Sequence, residues 1–347
     1  MKLSPALKDR LSKFRKNRRA WYSLVFLSVS FFISVLSPVL MNNSALIARY
    51  EKKLYFPVFE VVTEADLGGK EKTAADFKEI RNSERFKNND NFMIFPPIPY
   101  GPNESHLKEL SEGQYPPSAP SIQHPMGTDD RGRDVFVRII YGYRNCMGFA
   151  LILIVFEMLI GIIIGGIQGY FAGKTDMIIQ RLIEIFSSIP FLYMILIMGS
   201  YFGNSFSVLM VTYAAFAWIG ISYYIRGEFL KLRTAQYVEA ARAFGVGDIQ
   251  IIFRHILPNS ITPIVTFLPF SLIGSISILS ALDFLGYGIP APNPSWGELI
   301  GQGRERIGAW WLIGFPSLAL LVTIQLTAFV GEGLRDAFDS KENLIIK

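Results

Sequence analysis

The sequence predicts an all-α polytopic membrane protein with six transmembrane helices and one small mixed loop domain outside the membrane. Three observations carry this. Half of the 347 residues are hydrophobic and only 18% are charged, low for a soluble chain of this length. The apolar residues gather into six charge-poor runs, and a helix needs roughly 20 of them to cross the hydrocarbon core. One intervening stretch, residues 42–123, is long and polar enough to fold outside the bilayer.

Residues 1–20 form a basic tail carrying Lys2, Lys8, Arg10, Lys13, Arg15, Lys16, Arg18 and Arg19. The first apolar run, Ala20 to Ala48, follows, with its transmembrane helix over 21–41. A basic tail before an apolar run also suggests a signal peptide, but the run is too long and no small-x-small cleavage site follows, so a retained anchor is expected. Asn145 to Gly173 is interrupted only by Glu157. Ile185 to Ile225 has no charge over 41 residues, enough for two spans turning at Gly203-Asn204-Ser205. Ile256 to Leu282 and Ile307 to Gly331 complete the set.

Lys and Arg near the spans orient the chain. With six spans both termini share one side, where the other loops hold Lys174, Arg181, Arg226, Lys231, Arg233, Arg242 and Arg254 and the C-terminal tail adds Arg335, Lys341 and Lys347. Of the opposite loops, the one at Gly203 has none and that at 283–306 only Arg304 and Arg306. The termini are therefore expected in the cytoplasm, together with the 226–255 loop. The net charge of +5 follows from this contact with membrane lipid, and no nucleic-acid partner is inferred. Cys146 is the one cysteine, which excludes an intramolecular disulfide and a cysteine metal cluster.

The 42–123 segment mixes charges evenly, has turn clusters at Gly68-Gly69 and Pro96-Pro97, and ends in a proline-rich stretch. Its hydrophobic content is thin for an independent core, so it reads as a cap on the outer face. Residues 124–144 then form an amphipathic lead-in, with Thr128 or Asp129 as helix cap. Val135, Phe136, Ile139, Ile140 and Tyr143 recur at helical spacing, which leaves Arg133, Arg138 and Arg144 to reach lipid headgroups. The segment is either a plain lead-in helix or a gate element.

The five-helix core, 145–340, precedes a short tail at 341–347. Within the core, Glu157 lies mid-span, where an ionised carboxylate costs about 2.5–3.5 kcal/mol. It lines a path or accepts an interhelical hydrogen bond. Gly161, Gly165 and Gly169 form two overlapping small-xxx-small steps, a packing face. Pro190, Pro258, Pro263, Pro269 and Pro316 suit a bundle that rocks and equally a static one. Gly169 to Thr175 superficially resembles a phosphate-binding loop, but it has three residues between its glycines where four are required, and a helix precedes it in place of a strand. Asp283, Trp296, Glu298 and Arg304 are a candidate outer gate. His106, His124 and His255 are scattered, and no paired-carboxylate or HExxH spacing offers catalysis or a metal site. His255 reads as an interfacial packing residue.

The most informative stretch runs from Gln236 to Asn259. Tyr237 to Phe244 reads as an amphipathic helix, Gly245-Val246-Gly247-Asp248 breaks it, and a second short helix runs toward Pro258. A hairpin held by spans on both sides is suited to dock into a groove on another protein. Glu239-Ala240-Ala241, Gly245 and Leu257-Pro258 match the spacing of the EAA loop of ABC-importer permeases, with His255 in place of an apolar residue. The stretch from His124 to Arg144, together with Asp283-Phe284-Leu285-Gly286-Tyr287-Gly288, Asn293 to Glu298 and Gly333 to Asp339, resembles the C-type permease subunit of dipeptide and oligopeptide importers over roughly 124–340. Val137 stands where a small polar residue is expected. Tyr55-Phe56-Pro57 through Gly69 is similar to the extended loop of the Yej-type subgroup, which is associated with uptake of peptides, including microcin C-type antibiotics.

The resemblance implies the type I ABC importer permease fold and a heterodimeric path shared with a second permease subunit. It implies one or two cytoplasmic ATPases that hold the ATP and magnesium, none being bound by this chain, and a periplasmic peptide-binding protein. It further implies that Glu239, Ala240, Ala241, Gly245, His255, Leu257 and Pro258 (the 236–258 loop) couple the subunit to the ATPase. Three alternatives stand beside peptide import: the same machinery carrying nickel chelates or other small solutes, a membrane-embedded enzyme, and a structural scaffold.

Overall fold

A computed structural model of the chain describes residues 5–86, 91–107 and 115–338. Lys2, Asp339, Lys341 and Lys347, and the expected tail at 341–347, lie outside them. The helices are α1 (Pro5–Lys16), α2 (Arg18–Val35), α3 (Ser37–Leu40), α4 (Phe77–Asn82), α5 (Val135–Phe171), α6 (Gly173–Ser187), α7 (Phe191–Phe202), α8 (Phe206–Leu232), α9 (Gln236–Ala243), α10 (Asp248–Ile251), α11 (Ile261–Phe284), α12 (Trp296–Glu305) and α13 (Trp311–Phe338). Strands β1 (Ile47–Tyr50), β2 (Lys53–Tyr55) and β3 (Phe92–Ile94) form one antiparallel sheet in the order β2-β1-β3.

Among the described residues, Val135–Phe171, Phe206–Leu232, Asp248–Phe284 and Trp311–Phe338 are each long and apolar enough to cross a bilayer. α6 and α7 together make a further span, bent by 71°. The first apolar run forms α2, whose 18 residues reach about 27 Å. Two expectations are corrected here. The chain between Gly173 and the turn at 203–205 is a broken span, because Pro190 removes a backbone donor and holds Ile189 out of helical geometry. The 124–144 lead-in is also not a separate helix: α5 runs unbroken for 37 residues from Val135.

The chain divides into two compact units. One comprises Met1–Ser28, Cys146–Pro290 and Leu320–Lys347. Its main core gathers Ile154, Met158, Ile221, Ile225, Phe229, Val238, Ile251 and Ile256, so the hairpin at 236–258 is built on the same buried cluster as α5 and α8. The glycine face of α5 meets α8: a Cβ on Gly165 would stand 2.4 Å from the carbonyl oxygen of Ser222, and one on Gly169 2.6 Å from that of Arg226. Elsewhere in this unit Phe14, Ala20 and Leu27 pack with Val330 and Ala337, which seats α1 beside the end of α13.

The other unit comprises Val29–Asn145 and Ala291–Ala319. It holds the sheet, whose inner side packs Ala48, Tyr55, Val62, Leu67 and Phe77. The described part of 42–123 therefore has a small buried cluster of its own.

Candidate coupling and gate sites

Local chemistry shapes the hairpin. Gln236 to Ala243 are mostly good helix formers, and α9 buries Val238 and Ala241 while leaving Glu239 and Ala240 exposed. The helix then ends in a two-bond glycine cap. Gly245 has φ +76°, its N–H donates to the Arg242 carbonyl at 2.9 Å, and the Val246 N–H donates to the Ala241 carbonyl at 3.1 Å. Only glycine adopts that φ without a steric penalty. Val246 turns inward and packs on the core, which fixes the direction of the return arm.

The return arm differs from a short second helix. α10 passes into a π-turn over Ile252–Ile256, then a 3₁₀ turn over Leu257–Ser260, then α11, giving one helical stretch from Asp248 to Phe284. Pro258 sits in the first turn of the 3₁₀ segment, where its missing N–H costs little. His255 lies half-buried in the π-turn, and its carbonyl accepts from Asn259 Nδ2 at 2.7 Å. Leu257 is half-buried against the core.

Two contacts fasten the hairpin to the end of α5. The Tyr170 hydroxyl donates to Asp248 Oδ1 at 2.5 Å. The Arg242 guanidinium lies over the Tyr170 ring, 5.2 Å from its centroid. Tyr170 stands in the Gly169–Thr175 stretch, and its partner lies 78 positions along the chain, too far for spacing to reveal. A second tie holds α6 to α8, where Arg226 donates to both oxygens of Asp176 at 2.6 and 2.7 Å. With its inner side committed, the hairpin presents Tyr237, Phe244, Ile249 and Phe253 outward, Phe244 being 88% exposed.

Glu157 on α5 is buried and accepts a hydrogen bond from the Ser271 hydroxyl of α11. Gly169 lies inside α5 against Phe229, not in a loop that could wrap a phosphate.

The lead-in is tied instead to α12. Trp296, 2% exposed, donates from Nε1 to the Ile139 carbonyl at 3.0 Å and stacks on Tyr143. Arg133 Nε donates to Asp129 Oδ2 at 2.6 Å, and its Nη2 lies 3.2 Å from Glu298 Oε1. Arg138 Nη2 reaches Glu298 Oε2 at 2.5 Å. Arg133 and Arg138 were expected at the headgroups, yet they are 3% and 0% exposed. Their fork-shaped donors find carboxylates from two segments, which is what allows guanidinium groups to be buried. Burial lowers the Arg133 pKa, but the hydrogen bond and charge of Asp129, with Glu298 behind it, more than offset this and leave it raised. Burial, then the adjacent Asp129 charge, pushes the Asp130 carboxyl up.

The helix cap is likewise neither Thr128 nor Asp129. Asp134 Oδ1 accepts from the Val137 N–H at 2.8 Å, and Oδ2 meets His124 Nδ1 at 2.7 Å. Thr128 instead accepts from the Ser118 N–H through its hydroxyl, and Asp129 closes its own turn onto Arg131 and Arg133. Of the four gate candidates, Trp296 and Glu298 join the lead-in. Arg304 is exposed, and Asp283 serves its own turn by accepting from the Ile289 N–H at 2.6 Å.

The chain is similar to known proteins over nearly its whole length. It is 38% identical over 338 residues to the inner membrane ABC transporter permease protein YejE of Escherichia coli K12, covering 97% of this chain and 98% of that one. It is 37% identical over 366 residues to the peptidoglycan transport system permease protein YejE of Agrobacterium fabrum, covering 98% and 94%. The oligopeptide transport system permease protein OppC of Haemophilus influenzae matches over 228 residues at 37%, covering 65% of this chain and 73% of that protein. An inward-facing crystal structure of the MetNI methionine ABC transporter shares the fold, with TM-score 0.51 at 18% identity over 58% of this chain and 96% of that one. The model of binding-protein-dependent transport system inner membrane components matches residues 158–343. That match, which takes in the whole hairpin, and the near-complete overlap with the two YejE proteins make this chain a member of that family, the multi-pass inner-membrane permease subunits of ABC importers.

Proposed function

We propose that this chain carries peptides across the inner membrane with a second, related permease, driven by ATP that partner subunits hydrolyse. Membership in a binding-protein-dependent family implies an ATPase and a binding protein as partners. The peptide reading is supported by the transport systems named for its relatives, which are oligopeptide, dipeptide and peptidoglycan systems. The observation that carries the coupling is the hairpin at 236–258, with its inner side locked to the core and an apolar tip of Tyr237, Phe244, Ile249 and Phe253. Buried aromatic anchors are what a groove on a partner selects. With both termini in the cytoplasm, as the distribution of Lys and Arg favours, that tip faces an ATPase.

The mechanism is differential binding. ATPase closure displaces the tip, and because Asp248 to Phe284 is one helical stretch, α11 moves with it. Glu239 and Ala240 sit on the exposed side of α9, within reach of a partner. Catalysis of ATP hydrolysis is assigned to that partner, with no site on this chain.

Affinity purification from mild detergent followed by ATP-driven peptide uptake in liposomes tests the proposal. Recovery of a second permease and an ATPase, with uptake of peptides in preference to nickel chelates, is the expected result. A chain that purifies alone and monodisperse overturns it.

A further inference from the structure

Gln168 on α5 is fully buried, and neither its amide nitrogen nor its amide oxygen has a hydrogen-bond partner among the described residues. The large majority of buried side-chain polar atoms are bonded, so an amide left bare at both ends calls for a physical reason.

The side of α5 on which it sits supplies one. Gln168 follows Glu157 by eleven positions, close to three whole turns, so the two share one face. Glu157 meets Ser271 of α11 there. The carbonyls of Trp218, Ser222 and Arg226 lie against Gly161, Gly165 and Gly169 in turn, so α5 and α8 run parallel. The hairpin then reverses the chain, and α11 runs back against both. Eleven positions before Ser271 is Ser260, itself fully buried at the end of the 3₁₀ turn. Gln168 is therefore level with the junction where the π-turn, the 3₁₀ turn and α11 follow one another.

That junction is short of donors and irregular in register. Pro258 and Pro263 bring no N–H to it. The Leu257 N–H reaches back to the Ile252 carbonyl, and side chains already serve two more carbonyls: Asn259 Nδ2 donates to that of His255, and Ser260 Oγ to that of Leu257. A π-turn holds more chain than a regular turn, and a 3₁₀ turn is wound more tightly. Taking one residue up into regular helix rotates the chain beyond it by about 100° and shifts it by about 1.5 Å along the axis.

We propose that Gln168 is a positioning residue for coupling: this rotation carries a carbonyl of the donor-poor stretch to its amide, and the new bond holds the second arrangement of the hairpin. In the arrangement seen here the bare amide is destabilising, which biases the hairpin toward the change. The inference rests on the coupling role proposed for the hairpin.

The test uses the full complex, with its second permease and ATPases, in nanodiscs for melting and in liposomes for uptake. Gln168→Met keeps the length of the side chain and removes the amide. Without nucleotide the variant should melt about 2 °C or more above the unaltered complex. With ATP and vanadate, which trap the ATPases closed, that margin should vanish or reverse, and ATP-driven peptide uptake should fall at least threefold. Three results overturn the inference. A variant that melts no higher without nucleotide, or fails to assemble, shows an amide already bonded there, directly or through water. A margin equal in both nucleotide states shows that the hairpin never brings it a partner. Unchanged uptake shows that the bond has no part in transport. If the unaltered complex hydrolyses ATP but imports no peptide, the importer reading itself fails, and the inference falls with it.

Discussion

Tyr170 and Asp248 are 78 positions apart, and a 2.5 Å hydrogen bond joins them where α5 ends and the return arm of the hairpin begins. A hydrogen bond to a charged acceptor contributes about 1.5–3 kcal/mol when shielded and less where water reaches it. Tyr170→Phe keeps the ring beneath Arg242 and removes only the hydroxyl. It is expected to leave insertion and co-purification of the ATPase intact while lowering ATP-coupled uptake. Asp248→Asn should lower uptake similarly, and the double variant should be no worse than either single one in a transport-rate cycle.

Gly245→Ala meets no neighbour within 4 Å, so its whole effect is the φ of +76°. A side chain there costs about 1–2 kcal/mol. Uptake should fall in the order Gly245→Asn, Gly245→Ala, Gly245→Val, since asparagine tolerates this conformation best. Equal uptake by all three variants would show that the turn need not hold its shape.

Removing one partner from a buried ion pair costs about 3–5 kcal/mol, because the other charge is stranded. Arg138→Ala should therefore lower the detergent-extracted melting temperature clearly, as Glu298 loses its shorter contact. Glu298→Gln should lower it less, since Asp129 still serves both arginines. Thermal melts that rank the two variants the other way would mean Asp129 carries little of the network.

Glu157→Gln retains an oxygen that can accept from Ser271, so insertion, stability and uptake should stay near those of the unaltered chain. Interhelical hydrogen bonds in membranes average about 0.6 kcal/mol, which sets the scale of the loss in Glu157→Leu. Uptake that collapses in the glutamine variant at unchanged stability would instead make Glu157 a path residue whose charge matters.

Asp66 sits low in pKa because the Thr63 hydroxyl donates to it at 2.6 Å and the Thr63 N–H at 2.9 Å. A carboxylate held below its unfolded value stabilises fully above about pH 4, and that contribution is lost as pH falls through the lowered native value. Hydrogen exchange around 63–67 should rise on acidification over that window. Thr63→Ala raises the native value toward the unfolded one and should shrink that acid-dependent rise.

How much of this was legible in the sequence depended on distance along the chain. The hairpin was readable because its determinants are local: helix formers, then Gly245, then Pro258 within 23 residues. The turn at 203–205 was readable for the same reason, with Gly203 left-handed and Ser205 capping α8. Arg133 and Arg138 were misplaced because Glu298, 165 and 160 positions away, is what allows their burial. Thr128 and Asp129 drew the expected cap because either oxygen could accept at a helix start, whereas Asp134, which does cap α5, is held in place by His124, ten positions earlier. The sheet escaped notice because its strands are only three and four residues long.

The glycine face of α5 constrains how such a bundle can work. With the Ser222 carbonyl 2.4 Å from where a Gly165 side chain would begin, the two backbones touch, and no side chain can re-pack to let them slide. α5 and α8 are thus a plank, displaced whole or not at all. Within their unit flexure is borne by helices with missing backbone bonds: the α6–α7 elbow at Pro190, and α11 around Pro269. On the proposed coupling, a push on the hairpin meets a stiff board and compliant struts, and the work of alternation falls on the struts.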